Sequence, residues 1–241
     1  RWWSAGGLTT TDERRELDLR HGVLTRTAVL TDDAGRRVRL RQRRLVSMAR
    51  PHMGALETTV TPEGWSGTLR LRSGIDAGVL NANVSEYAAL ANRHLRTTGV
   101  HETGPGRLVV EVATAQSQIQ IAVAARITVD DAVPDAVLEH DGQLHWHVLD
   151  LPVSDGAPVT VDKTVAIATS RDPAIASPIS ATVGELDATP GGFKDLLGPH
   201  TDAWGRLWDR FGVELDADTQ TRLVVNLHLF HLLQTLSVHT A

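Results

Sequence analysis

Apolar and polar residues alternate along most of the chain up to about Thr182, in short runs separated by clusters of Gly, Pro, Asp or Asn. Segment 27–45 shows the pattern most clearly. A turn at residues 33–35 separates two runs of period two, and Gly35 can supply a positive φ there. Many short strands with turn signals between them predict an antiparallel β-sandwich. Residues 84–95 lack this alternation and are predicted to be helical or irregular.

The periodicity becomes helical after residue 183. A Pro-Gly-Gly break at 190–192 is followed by Trp204 and Trp208, which lie four residues apart and would share one face of a helix. Gly212 is expected to end that helix, because glycine is the usual residue just past a helix C-terminus.

A second helix is predicted to run from Asp216 or Asp218, either of which can cap it, to the end of the chain. Its residues are apolar on most sides, and Leu223 and Leu227 belong to one stripe. A helix of this kind is normally buried. The sandwich can cover one side at most. We therefore expect the other sides to pack against helices outside residues 1–241, and the chain to be a fragment cut before a helical domain.

Composition excludes several classes of function. A chain of 241 residues can bury a sizeable core, and its formal charge of −5 argues against a protein that coats nucleic acid. The absence of cysteine excludes disulfides, thiolate metal sites and thiol nucleophiles. No run has the length and purity of a transmembrane helix, and no signal peptide is visible. We therefore expect no membrane partner and a cytoplasmic location.

Five segments, in this order, carry a combined signature. They are LDLRHGVLTR (17–26), RLVSMARPHMGAL (44–56), LRSGIDAGVLNANV (71–84), VDKTVAIATSRD (161–172) and TRLVVNLHLFHLLQTLSVHT (221–240). Together they resemble glycoside hydrolase family 65, which contains inverting phosphorylases of maltose, trehalose, kojibiose and nigerose, and some trehalose hydrolases. The resemblance implies an enzyme that acts on α-linked glucose disaccharides.

The resemblance also implies an architecture. Family members have a mainly β, antiparallel, galactose-mutarotase-like β-supersandwich, then an α-helical linker, then a barrel of paired α-helices. Residues 1–185 would form the sandwich domain without its N-terminal part, and residues 186–241 the linker and the start of the α/α barrel. The catalytic glutamate and the phosphate site would lie in the barrel, so no catalytic residue is assigned to this chain.

The same resemblance sets the expected partners. They are the barrel domain of the same polypeptide, a disaccharide substrate of the parent enzyme, and a second copy in a homodimer. No cofactor is expected, and inorganic phosphate would serve as co-substrate if the parent is a phosphorylase. Whether phosphate or water attacks would be decided in the barrel.

Tryptophans are the candidates for sugar contact. Trp2, Trp3 and Trp65 could stack on sugar rings, as aromatic side chains do in carbohydrate-binding modules. Trp204 and Trp208, at helical spacing, are predicted instead to pack between the linker and the sandwich.

Arginines line one face of the run 37–43 and could bind phosphate, nucleic acid or an acidic sugar. The structural alternative is favoured by the acids just upstream. A neighbouring strand that carries them would neutralise the arginines through cross-strand pairs. These acids are Asp12, Glu13, Glu16 and Asp18.

Histidine spacing suggests two half-sites for zinc. His145 and His147 share one side of a strand, and His228 and His231 share one face of a helix. No third ligand is evident, so no metal site is predicted. The first pair is read as ordinary strand surface and the second pair as core or interface.

Acids of the linker are the remaining candidates for chemistry. Asp195, Asp202 and Glu214 could serve in glycoside cleavage only if two of them faced each other across a cleft. We expect them to be solvated or to cap helices. The run 169–172, TSRD, is read as a hydrogen-bonded strand end.

Two hypotheses from different classes follow. The chain is either the non-catalytic N-terminal sandwich and linker of a carbohydrate-active enzyme, or a stand-alone carbohydrate-binding or partner-docking β-sandwich module. The last helix discriminates between them, because a self-sufficient module should cover its own apolar surface.

Overall fold

The computed structural model describes residues 8–80 and 92–235. These residues form eleven strands followed by three helices. The strands are β1 Leu8–Asp18, β2 Val23–Asp32, β3 Arg37–Val46, β4 Met53–Glu63, β5 Gly67–Asp76, β6 Leu95–Gly104, β7 Arg107–Thr114, β8 Gln120–Val129, β9 Val137–Asp141, β10 Leu144–Val153 and β11 Val159–Thr169. The helices are α1 Pro178–Asp187, α2 Phe193–Phe211 and α3 Thr219–Leu233.

The strands build two antiparallel sheets. The larger has eight strands in the order β1-β2-β3-β4-β11-β8-β7-β6, and the smaller has three in the order β5-β10-β9. Every strand pair is antiparallel. The predicted mainly β fold with a helical C-terminal region is confirmed, and so is the hairpin of segment 27–45, whose Gly35 has a φ of 76°.

The fold has three layers, because the side chains of the large sheet point alternately to the small sheet on one face and to the helices on the other. Side chains such as Val110, Ile127 and Val161 face the small sheet. Their neighbours on the opposite face, including Val109 and Ala124, pack against α1 and α2. Because both faces of β7, β8 and β11 are covered, these strands are apolar on both sides, as is typical of a central layer.

Several elements differ from the sequence-based expectation. The last strand ends at Thr169, and α1 already begins at Pro178, where strand had been expected up to Thr182. Ser177 caps α1, with its Oγ 3.3 Å from the N–H of Ser180. Strand β6 was missed because it is rich in polar residues. Most of segment 84–95 lies outside the described residues.

The two later helices begin and end largely as predicted. The carbonyl oxygen of Trp208 accepts a hydrogen bond from the N–H of Gly212, which lies just past the end of α2. The side chain of Asp218 accepts the N–H groups of Gln220 and Thr221 at 2.9 and 3.0 Å, so Asp218 and not Asp216 caps α3. These hydrogen bonds favour the ionised carboxylate and hold the pKa of Asp218 below its ordinary value. Helix α3 ends at Leu233, short of the predicted run to the chain end; residues 236–241 lie outside the described ones.

Candidate functional site

A row of charged side chains crosses the helix-facing side of the large sheet. Arg43, Glu57 and Asp162 lie directly opposite one another on β3, β4 and β11. The guanidinium of Arg43 donates to Glu57 at 2.7 Å and its carbon lies 4.6 Å from the ring centre of Phe193, the first residue of α2. We call these three residues, together with Arg126, the helix anchor. These four charged side chains lie where the helices meet the sheet.

Arg126 on β8 binds the C-terminal end of α1. Arg126 is 6% exposed, and its guanidinium donates to the carbonyl oxygens of Leu186 at 2.8 Å, of Thr189, and of Pro190 at 3.1 Å. Leu186 belongs to the last turn of α1, whose carbonyls lack intrahelical partners and carry partial negative charge, and Thr189 and Pro190 lie in the turn that follows, so one buried cation binds both. Burial lowers the pKa of Arg126 from its ordinary value, and the charge of Arg107 adds to this effect.

Asp162 on β11 binds the opposite kind of helix end. Its carboxylate accepts the N–H of Phe193 at 2.9 Å and the hydroxyl of Thr164 at 2.9 Å. Burial raises the pKa of Asp162, since it penalises the charged form. A carboxylate at the start of α2 and a guanidinium at the end of α1 therefore fix the turn between the two helices on the sheet.

His200 and Trp204 attach the middle of α2 to two turns of the large sheet. His200 is 1% exposed; its Nδ1 accepts the N–H of Met48 at 3.1 Å, and its Nε2 donates to the carbonyl of Gly22 at 3.2 Å. This arrangement fixes the neutral tautomer with the proton on Nε2. Burial lowers the pKa of His200. The indole of Trp204 occupies the space where a Cβ of Gly22 would lie.

Helix α3 is covered on one side only. Phe230 stacks on Trp204 at 4.5 Å between ring centres, and Leu233 joins the same buried cluster. Other apolar side chains of the described helix are open to solvent, with Leu223 58% and Leu232 66% exposed. The predicted packing of Trp204 between linker and sandwich is confirmed, as is the incomplete covering of the last helix by residues 8–80 and 92–235.

The arginine face of β3 is neutralised, but by a different strand from the one expected. Glu63 on β4 lies 2.5 Å from Arg39 and 3.4 Å from Arg37. The expected donor strand, β1, pairs with β2 and not with β3, and its Glu13 binds Arg26. The hydrogen bond from Arg39 lowers the pKa of Glu63. The prediction that acids of a neighbouring strand neutralise the arginines is confirmed. The acid is on β4, however, and not among residues 12–18 as expected.

The histidine pairs occupy different environments. His147 is buried and its Nε2 donates to Glu102 at 3.2 Å, so it is not strand surface, while His145 sits 5.8 Å from the ring of His140. His228 and His231 are both exposed on α3, which excludes a core role. Among residues 8–80 and 92–235, no group of three or more His, Asp or Glu is placed to hold a metal ion.

The linker acids do not face one another across a cleft, and the TSRD run lies at a strand end. Asp195 accepts the N–H of Gly191 at 2.7 Å, within the turn before α2, while Asp202 and Glu214 are exposed. Asp172 accepts the N–H of Thr169 at 2.6 Å, which closes the strand end as expected.

Trp65 lies at the mouth of a cleft of about 780 Å³ between the two sheets. Its indole nitrogen donates to the carbonyl of Arg37 at 2.7 Å, and the guanidinium carbon of Arg36 lies 5.3 Å from its ring centre. A sugar ring could stack on that face only after Arg36 moves aside. Trp2 and Trp3 lie outside the described residues, so sugar binding by the three tryptophans stays a prediction.

The helix anchor was missed from the sequence, although a signal was present. Arg126 is the one charged residue of the run 121–129, and Asp162 lies beside Lys163 in the run 159–169, in which valine and alanine predominate. A charge in such a run is normally paired, and here the partners are helix ends. No helix of the described chain is both long and apolar enough to cross a membrane.

These features define a class: an antiparallel β domain that carries tightly docked helices and presents an uncovered apolar helix face. The comparison with protein families is more specific. The model described as the glycosyl hydrolase family 65 N-terminal domain matches residues 1–207, and the chain belongs to this family.

Similar proteins agree with this assignment. An uncharacterized glycosyl hydrolase of Mycobacterium tuberculosis is 38% identical over the whole of this chain, which spans 18% of that protein. A kojibiose phosphorylase of Thermoanaerobacter brockii is 24% identical over 93% of this chain, which spans 30% of it. A solved structure provisionally assigned as a kojibiose phosphorylase from the human microbiome has a TM-score of 0.81 at 14% identity, over 95% of this chain and 29% of its own, and shows the same fold.

Proposed function

We propose that the chain is the non-catalytic N-terminal sandwich and linker of an enzyme that cleaves α-linked glucose disaccharides by inverting phosphorolysis or hydrolysis. The uncovered face of α3, which lies beyond the matched residues 1–207, carries the proposal, because an N-terminal domain of this family would need a helical domain of the same polypeptide to cover that face. The relatives named as kojibiose and α,α-trehalose phosphorylases support this choice of substrates, and this chain spans 29–30% of their length.

The sandwich and linker would act by holding the helical domain in a fixed position. The helix anchor and Trp204 tie α1 and α2 to the large sheet, so the start of the helical domain would be held at a fixed place on the sandwich. The sandwich would support the barrel, shape the mouth of the active site and offer a surface for a homodimer in the cytoplasm. Inorganic phosphate would be the co-substrate of a phosphorylase.

The test compares the full-length polypeptide with residues 1–241. Both are assayed on kojibiose, trehalose and maltose, with and without phosphate, and the anomer of the product is followed by NMR. Inversion at an α-glucoside yields a β product, either β-glucose 1-phosphate or β-glucose. We expect activity in the full-length protein and none in residues 1–241. Turnover by residues 1–241 alone would overturn the proposal.

The alternative, a stand-alone carbohydrate-binding or partner-docking module, gives a different result. Such a module should sediment as a stable monomer and bind the same disaccharides without further polypeptide. Calorimetric titration of residues 1–241 with kojibiose and trehalose, beside Trp65→Ala as control, measures this directly. Saturable binding that Trp65→Ala abolishes, without turnover in the full-length protein, would favour the module.

A further inference from the structure

Two histidines face each other on the short hairpin formed by β9 and β10. His140 and His145 are directly opposite across the two strands, and their ring centres are 5.8 Å apart. Directly opposite residues of an antiparallel pair have Cβ atoms about 4.5–5.5 Å apart and lie on the same face of the sheet. Sequence spacing pairs His145 with His147 of its own strand, whereas the register of the hairpin brings it to His140.

The ring nitrogens of both histidines are available for a ligand. Within residues 8–80 and 92–235 neither ring forms a hydrogen bond or an ion pair, in contrast to His147, whose Nε2 lies 3.2 Å from Glu102. His140 is exposed and His145 is half-buried, so the pair is open to water and small ions. Burial lowers the pKa of His145, and the charge of His140 adds to this effect. A neutral imidazole has a lone pair to share with a metal ion.

The distance between the rings suits one transition-metal ion. Zinc binds imidazole nitrogen at about 2.0–2.1 Å, which puts the centres of two rings on the same ion about 4.5–6 Å apart. The observed separation of 5.8 Å lies in this range, and the two ring planes differ by 35°. Rotation about side-chain bonds is therefore enough to aim both rings at one ion.

The turn of the hairpin holds the two histidines in register. Gly142 and Gln143 alone separate the strands, and a turn of this length fixes the pairing on either side of it. The backbone carbonyl of Gln143 accepts the N–H of Ala77 at 3.0 Å, which ties the turn to the end of β5. The side-chain oxygen of Gln143 is buried and has no hydrogen-bond partner among the described residues. Water bound to a metal ion is a donor that would satisfy an acceptor of this kind.

The strand that carries His140 also favours a cation. Glu139 and Asp141 flank His140, and neither forms an ion pair within the described part of the chain. Side chains alternate along a strand, so these two acids lie on the opposite face and are not ligands. Their negative charge still raises the local concentration of cations around the histidine pair.

We propose that His140 and His145 bind one divalent transition-metal ion of the kind that prefers imidazole, with water in the remaining positions. Two protein ligands agree with the finding that no group of three or more His, Asp or Glu in residues 8–80 and 92–235 is placed to hold a metal. The ion would fasten the five-residue strand β9 to β10. Such binding requires nothing from the rest of the polypeptide, and Cu²⁺ should bind more tightly than Zn²⁺.

Metal titration tests the pair. Zn²⁺ and Cu²⁺ are each titrated calorimetrically into the metal-free chain, and the nitrogens bound to Cu²⁺ are counted by electron paramagnetic resonance. We expect a tightest site of one ion with two nitrogen ligands, and an affinity at least about tenfold lower in His140→Gln and in His145→Gln. His101→Gln is the matched control. His101 is an exposed strand histidine 3.0 Å from Glu111, and its replacement should leave the affinity unchanged.

The pH dependence counts the histidines without any variant. Both imidazoles must be free of protons to bind the ion, so the affinity should fall about 100-fold for each pH unit below the range in which the two rings titrate. A single histidine would give about tenfold per pH unit. Zn²⁺ at neutral pH should also raise the melting temperature of the chain, and this rise should disappear in His145→Gln.

Several results would overturn the proposal. An affinity unchanged in both His140→Gln and His145→Gln would place the bound ion elsewhere, and its loss in His228→Gln would assign it to the exposed histidines of α3. A tenfold dependence on pH would mean that only one histidine binds. Absence of saturable binding of either ion would leave the pair as ordinary strand surface.

Discussion

Replacing Gly22 with alanine should destabilise the protein far more than an ordinary turn substitution, because two costs coincide at this residue. Gly22 has a φ of 65°, and a left-handed residue with a Cβ costs roughly 1–2 kcal/mol. An added Cβ would also lie 2.1 Å from the Nε1 of Trp204. Trp204 is 1% exposed and stacked on Phe230, so its ring has little room to withdraw.

Gly35→Ala is the matched control. Gly35 has a φ of 76°, and a Cβ added to it would meet nothing within 4 Å. It therefore carries the backbone cost alone, which the reduced entropy of the unfolded chain partly offsets by about 0.4–1 kcal/mol. Overpacking against a fixed ring adds about 1–3 kcal/mol for Gly22→Ala. At about 2–4 °C per kcal/mol for a domain of this size, that addition should separate the two melting temperatures by roughly 2–12 °C.

The assay is thermal unfolding of both variants, followed by circular dichroism and by tryptophan fluorescence. Trp204→Phe supplies a second control, because it shortens the ring and should reduce the cost of Gly22→Ala through a measurable coupling energy. Equal melting temperatures for the two glycine variants would refute the reasoning. They would show that α2 does not press its tryptophan onto the β1–β2 turn.

Three further predictions concern the helices. Arg126→Met should lower the unfolding free energy by about 3 kcal/mol in urea titrations, because the carbonyls at the end of α1 lose their donors, while Arg107→Met should cost under ~1 kcal/mol. The depressed pKa of His200 means that the unfolded chain binds its proton first. Stability should therefore fall as pH drops below about 6.5, level off below the folded-state pKa, and lose this component in His200→Gln. Phe230→Ala should cost about 3–5 kcal/mol in thermal unfolding, and Leu232→Ala, at an exposed position, within ~0.5 kcal/mol.

The alternation of apolar and polar residues was sufficient to predict the sheets. In β3, Val38 and Leu40 are buried and Arg37 and Arg39 exposed, as the period of two requires. Helix ends were predictable for the same local reason, since Gly212 and Asp218 act through their own backbone geometry or side chain. These features depend on neighbours in sequence.

Features that depend on distant pairing were harder to infer. The strand opposite the arginines of β3 is β4, so Glu57 and Glu63 neutralise them, and nothing in the local pattern distinguishes β4 from β1 as the neighbour. Strand β6 carries too many polar residues to show a period, because it lies at the edge of the sheet. Helix α1 was missed for a related reason: its buried side is made by contact with β8 and β11 and shows only weakly in its own sequence.

The helix anchor explains why charge is tolerated between the sheet and the helices. Arg126 and Asp162 would each be costly to bury alone, and the burial-driven shifts of their pKa values record that cost. Their partners are helix ends, whose partial charges have opposite sign at the end of α1 and the start of α2. Exchanging the two residues would place like charge against each helix end. The pair therefore selects one orientation of the helices on the sheet, and the same orientation determines where the uncovered face of α3 lies.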